Sequence, residues 1–124
     1  MKFLSLYKSV EKNTPPSQEE MSRMGQLIED GFKAGWLVAT EGCLPSALGA
    51  RVRRAGEKTT VTDGPFTEAK EVVGGFGILE FPSREEAVKS AIEFMGLHKK
   101  YWPGWEGETE VRQILGPEDF SPCK

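Results

Sequence analysis

The stretch from Thr59 to Phe81, TTVTDGPFTEAKEVVGGFGILEF, constrains the fold of this chain more than any other. It reads as strand, sharp turn, short charged segment, glycine pair, strand. Asp63 stands where the first of these strands ends, directly before Gly64-Pro65-Phe66. Glycine permits backbone geometry that other residues resist, and the following proline fixes its own φ. The path of the chain is therefore set at this turn. In the second strand, Gly74, Gly75 and Gly77 imply a bulge or a close backbone approach instead of ordinary side-chain packing.

The flanking sequence supplies the other elements. Lys2 to Lys8 carries apolar groups on both sides, which predicts a central strand. Val10 to Pro16 reads as a loop. Ser17 and Glu20 then match a capping box, and Met21, Met24, Leu27, Ile28 and Phe32 form a helical stripe that Gly35 can stop. Trp36 to Thr40 is strand-like, Leu44-Pro45-Ser46 is a turn or edge segment, and Ala47 to Arg54 reads as a strand joined by a hairpin to Thr59–Thr62. A second capping box, Ser83 with Glu86, opens a helix expected to end near Gly96. Leu97 to Gly107 reads as an aromatic-rich loop, and Thr109 to Leu115 as a last strand.

This order predicts an α+β chain with a split βαβ sheet and both helices on one face. The opposite face still carries apolar residues. A second copy of the sheet is the simplest cover, so a homodimer is expected. One domain over residues 1–116 and a tail over 117–124 fit the length of 124 residues.

Apolar residues make up 38% and charged ones 28%, as in a globular protein. The net charge of −3 argues against nonspecific binding to nucleic acid or an anionic membrane. Arg51, Arg53 and Arg54, or Lys99-Lys100, could still form a local basic patch. The apolar run between Lys2 and Lys8 is too short for a secretory signal, and no run approaches membrane-spanning length. Cys43 and Cys123 are far apart and lack metal-ligand neighbours, so both read as reduced thiols in a cytoplasmic protein. No cofactor is expected, because no lysine-serine or lysine-threonine pair follows the glycines to make a phosphate loop.

Two readings of Asp63 stand side by side. It can cap the turn by accepting backbone N–H bonds two or three residues on. Alternatively, the turn holds its carboxylate at the lip of a cavity, as a general base or acceptor. Glu68, Lys70 and Glu71 suit a solvated face. Glu41, between an apolar strand end and Gly42, is a less expected carboxylate, and near Asp63 it would push the two pKa values apart. His98 is the only histidine. It reads as a surface or loop-packing residue, and Tyr101, Trp102 and Trp105 read as packing or interface aromatics.

The segment VTDGPFTEAKEVVGGF, Val61 to Phe76, resembles the motif of the DGPF branch of the YCII-related protein family. The strand Lys2–Tyr7, the helix ending at Gly35, the EGCLPS segment Glu41–Ser46 and VRQI at Val111–Ile114 also resemble that family's pieces. The resemblance implies a ferredoxin-like fold assembled as a dimeric α/β barrel. It also implies a link to sigma factors in some members, and hence a regulatory module with a sigma-factor partner as the alternative to a small-molecule-binding protein with acid/base chemistry. The wider family is associated with a histidine on the first helix partnered by an aspartate. Ser17 to Ala34 contains no histidine, so that dyad is not carried over. The matching motif positions are Glu41, Asp63, Lys70 and Glu71 as ligand-binding candidates, with Asp63 the catalytic one and Gly64, Pro65 and Phe66 as its scaffold.

Overall fold

The computed structural model describes residues 1–11, 15–102 and 104–120. Cys123 and the end of the expected tail lie outside the described residues. Among the described residues, six strands and two α-helices follow in the order β1 (Lys2–Ser9), α1 (Gln18–Ala34), β2 (Leu37–Gly42), β3 (Ala50–Ala55), β4 (Lys58–Asp63), β5 (Val72–Glu80), α2 (Arg84–Tyr101) and β6 (Gly107–Gln113). Four of the strands form an antiparallel sheet in the order β2-β5-β1-β6. Two interleaved βαβ crossovers generate this order, as the sequence predicts. β3 and β4 form a separate two-stranded hairpin, turned at Gly56 with φ 61°, and every one of its strand residues is exposed.

Both helices begin as their capping residues dictate. Ser17 Oγ accepts from the Glu20 N–H at 3.1 Å, and Ser83 Oγ accepts from the Glu86 N–H at 3.2 Å. α1 stops at Gly35, whose φ of 88° lets its N–H reach the Gly31 and Phe32 carbonyls. The expected end of α2 at Gly96 is corrected: the helix passes through Gly96 to Tyr101. A glycine in a helix interior costs only about 1 kcal/mol relative to alanine. Docking of the final turn against the sheet outweighs that cost, since His98 is buried and Phe94 meets Tyr7 of β1 edge-on.

The core lies between the sheet and the helices. Phe3, Leu37 and Leu79 come together under Ala87 of α2, with Ile28, Trp36, Phe81 and Val111 around them. Pairing of Phe3 with Leu79, Ser5 with Gly77 and Tyr7 with Gly75 puts all six residues on this face. The other face presents Leu4, Leu6, Phe76 and Ile78, all half-buried. Lys8 lies beside them, with Glu110 at 3.1 Å and Glu108 at 3.7 Å.

The DGPF turn is tied down by Ser46 and by the Gly64 N–H, which donates to the Gly49 carbonyl at 2.9 Å. Ser46 is buried, and its Oγ accepts from the Phe66 N–H at 3.2 Å. The same residue donates its N–H to Glu11 Oε2 at 2.7 Å and its hydroxyl to Glu11 Oε1. The N–H three residues after Asp63 is thus satisfied from elsewhere, which corrects the capping expectation. Gly64 is required by space: a Cβ there would stand 1.6 Å from the Ser46 carbonyl oxygen. The Gly64–Pro65 bond is cis. Gly64→Ala should destabilise by about 1–3 kcal/mol through backbone displacement, and Ser46→Ala by about 1–3 kcal/mol through stranded polar groups. Urea denaturation of both variants checks this, with Asp63→Asn expected to fall within about 0.5 kcal/mol of the wild type as an exposed control.

Candidate functional site

A cavity of about 640 Å³ opens between α1, α2 and the helix-facing side of the sheet. Its size follows from β5. Gly75 and Gly77 face the helices without side chains and, beside Ser5, leave a floor of nearly bare backbone. Gly74 sits at the register shift between β1 and β5, where a Cβ would come within 2.4 Å of the Tyr7 ring. The bulge therefore lets Tyr7 lie flat along the floor. Trp36, Phe94 and Trp102 supply aromatic walls, and Met21 and Met24 of α1 line the other side.

Two ionisable groups meet at the inner end. Glu20 of α1 is 2% exposed and His98 of α2 is 5% exposed, with His98 Nε2 3.5 Å from Glu20 Oε1. Neither oxygen of Glu20 has a hydrogen-bond partner among the described residues. In a full capping box this carboxylate would turn back to the Ser17 N–H; here it turns into the cavity. Glu86, at the same position of the second box, stays exposed. Burial raises the Glu20 pKa from its ordinary 4.5. Burial also lowers that of His98 from 6.5, against a smaller opposing effect of the bond to the Phe94 carbonyl.

The tautomer of His98 follows from its partners. Nδ1 lies 3.1 Å from the Phe94 carbonyl oxygen, which can only accept, so Nδ1 carries a hydrogen. In the neutral ring Nε2 is then an acceptor facing Glu20. Both shifts favour a neutral pair in which the Glu20 carboxyl holds the proton opposite Nε2. That proton can pass between the two groups or to a molecule in the cavity. Tilted ring contacts hold the imidazole: its centroid lies 4.6 Å from Phe94, 5.2 Å from Tyr7 and 4.5 Å from Trp105, and Trp102 stacks on it at 6.4 Å. Trp105 stacks on Tyr7 with planes 4° apart and donates its Nε1–H to the Tyr7 hydroxyl at 3.1 Å. Tyr7 has a raised pKa, first because of burial; the bonds to Ser9 and Trp105 oppose this and the Glu20 charge adds to it.

The residues singled out in the sequence divide in space. Glu41 borders the cavity at the end of β2 and is itself exposed. Asp63, Gly64, Pro65, Phe66, Lys70 and Glu71 do not line it. Asp63 is exposed at the end of β4, opposite Ala50, and Lys70 is exposed in the following segment. Phe66 lies beneath the Arg51 guanidinium, 3.9 Å from its ring centroid, and Arg51 is paired with Glu68. The surface or loop reading of His98 is corrected: it is a buried helical residue. The signal for Glu20 was a cap glutamate standing beside the methionine stripe, and that for His98 was an i, i+4 relation to Phe94. Among the described residues no three His, Cys, Asp or Glu side chains stand close enough to hold a metal ion, and no helix is long and apolar enough to cross a membrane.

The architecture is that of a small α+β protein built on an antiparallel sheet, with a cavity beneath two helices. The YCII-related domain model matches residues 1–93, and the chain belongs to that family. It is also 30% identical over 82 residues, 66% of its length, to an uncharacterized protein of Rhizobium meliloti (strain 1021). The matched part spans 62% of that relative. Glu20 lies inside the family match and His98 outside it.

The raised pKa of Glu20 fixes a sign. Its stabilising contribution is complete below pH 4.5 and is lost as pH rises through the raised value. Glu20→Gln should therefore melt above the wild type at pH 8, by about 4 °C for each kcal/mol relieved, with the difference closing toward pH 4. Glu20→Gln, freed of the opposing carboxyl contribution, should lose stability as pH falls below 6.5, because the lowered pKa of His98 favours the fold only while the ring is neutral. Thermal denaturation from pH 4 to 8 checks both trends.

Proposed function

We propose that the chain binds a small molecule in the cavity between the helices and the sheet and exchanges a proton with it through Glu20 and His98. The observation that carries this reading is the buried Glu20 carboxylate, unpartnered and 3.5 Å from the only histidine of the sequence. A carboxylate without hydrogen bonds is costly to bury, and a ligand that bonds to it recovers part of that cost. The aromatic walls give the bound molecule apolar contact, and the volume of about 640 Å³ falls within the usual range for small-ligand sites. In this reading Tyr7 orients the His98 ring. Glu41 lies at the entrance, and the Asp63-Gly64-Pro65-Phe66 turn, with Lys70 and Glu71, acts as scaffold and not as the reacting group.

The same reading includes a ferredoxin-like fold of the DGPF branch, working in the cytoplasm as a dimer. Two copies meet through the sheet faces that carry Leu4, Leu6, Phe76 and Ile78, giving a dimeric α/β barrel. Half-buried apolar residues on a sheet face favour such a cover. Leu6→Asp should shift the protein to monomer, and sedimentation at micromolar concentration reads the change. A wild type that sediments as a monomer would overturn the barrel.

The single histidine makes the site directly observable. Proton NMR of the imidazole C–H resonances should show His98 titrating below 6.5, with Glu20→Gln moving the titration and Asp63→Asn leaving it in place. An ordinary titration, unmoved by Glu20→Gln, would falsify the paired-site reading.

A further inference from the structure

The kind of molecule the cavity can take follows from the groups that border it. Its lining is one-sided in charge. Among the described residues that border it, the acidic ones are Glu20 and Glu41, and neither lysine nor arginine is present. The titratable groups that face Glu20 are His98, with Nδ1 on the Phe94 carbonyl and Nε2 turned to Glu20, and Tyr7, whose hydroxyl accepts from Trp105 at 3.1 Å. β5 brings no ionisable group to this end, since Gly74, Gly75, Phe76 and Gly77 are its contribution. Glu20 Oε1, Glu20 Oε2 and His98 Nε2 thus stand together as acceptor atoms in one corner of the cavity.

Around these acceptors stand the faces and edges of Tyr7, Phe94 and Trp102. Aromatic faces attract cations, by about 0.5–1 kcal/mol at exposed sites and about 2 or more when water is excluded. A carboxylate with two empty acceptor oxygens asks for N–H donors, and a positive charge is what makes its ionised form tolerable at that depth. An anionic ligand would meet Glu20 and Glu41 with no compensating cation. A neutral apolar ligand would leave the Glu20 oxygens unbonded.

Building on the binding role given to this cavity, we infer that its ligand is an organic ammonium, carrying at least one N–H and an apolar or aromatic body. The ammonium N–H groups bond to Glu20 Oε2 and Oε1, with His98 Nε2 as the further acceptor. The body lies over the glycine floor of β5 between Phe94 and the methionines of α1. On binding, the proton that the pair shared leaves to solvent, so that the charge brought in by the ligand replaces it. His98 on α2 and Tyr7 on β1 are the titratable groups facing Glu20, and Glu41 on β2 stands at the far rim.

Isothermal titration at pH 8 with four probes that share a phenyl ring tests the assignment: benzylamine, benzyl alcohol, benzoate and benzyltrimethylammonium. Benzylamine should bind at least tenfold more tightly than benzyl alcohol and benzoate, with benzyltrimethylammonium, charged but lacking N–H, weaker than benzylamine. Glu20→Gln should erase the preference for benzylamine over benzyl alcohol. The comparison within the wild type stands without any variant. Benzyl alcohol or benzoate binding as tightly as benzylamine would overturn the ammonium assignment while leaving the binding role intact. Failure of all four probes, together with an ordinary His98 titration, would remove both. Failure of all four with a displaced His98 titration would remove the ammonium assignment alone.

Discussion

The placement of β5 between β1 and β2 is the constraint on which the site depends. Antiparallel pairing with Phe3, Ser5 and Tyr7 forces Leu79, Gly77 and Gly75 onto the side that the helices cover. Leu79 fills its place and, with Phe3 and Leu37, closes the core. The two glycines cannot fill theirs. One end of the sheet is therefore packed and the other is hollow, and the helices that bridge both ends must turn some side chains toward empty space. At Gly75 the β2 backbone leaves no room for a side chain, a Cβ there standing 2.7 Å from the Glu41 carbonyl oxygen. The hollow follows from strand register before any ionisable group is considered.

The polar chemistry then depends on what the helices carry at that end. A glutamate at the third position of a helix ordinarily reaches back to its own cap, as the Ser-x-x-Glu pattern encodes. Ser17 makes its half of the box with the Glu20 N–H, but the Glu20 side chain does not reciprocate. A buried carboxyl without partners stays near neutrality by holding its proton, and a buried imidazole does so by releasing one. Their opposite shifts leave one proton for two bases. The aromatic rings around His98 fix its plane, and the Phe94 carbonyl fixes which nitrogen faces Glu20. Geometry and protonation thus come from separate neighbours.

Much of the fold was legible because it rests on local signals. Both serine caps, the Gly35 stop, the central position of the first strand and the bulge at the glycine pair follow from residues close in sequence. The site was not legible for the same reason. Gly96 and the Pro103-Gly104 pair suggested a loop around His98, yet tertiary docking carried the helix beyond the glycine. Nothing local links Glu20 to His98, which approach only because α1 and α2 cross the same face of the sheet. The capping pattern even pointed away, since it assigned the Glu20 carboxylate a partner that it does not take.

The most conspicuous motif and the most unusual chemistry therefore occupy different parts of the molecule. Asp63 to Phe66 is held by Ser46 and Glu11 at the base of an exposed hairpin, where space at Gly64 admits no side chain. A sequence can be recognised by such a turn because its geometry tolerates few residues, whatever the protein acts on. The Glu20–His98 pair makes no comparable steric demand, and half of it lies beyond the residues that match the family. In this chain α2 continues to Tyr101 and β6 begins at Gly107, and the segment between them sets Trp105 against Tyr7 and His98. The residues that match the family carry β1 to β5 and the turn. The ionisable group that gives the hollow its chemistry is completed by the stretch that follows the family match.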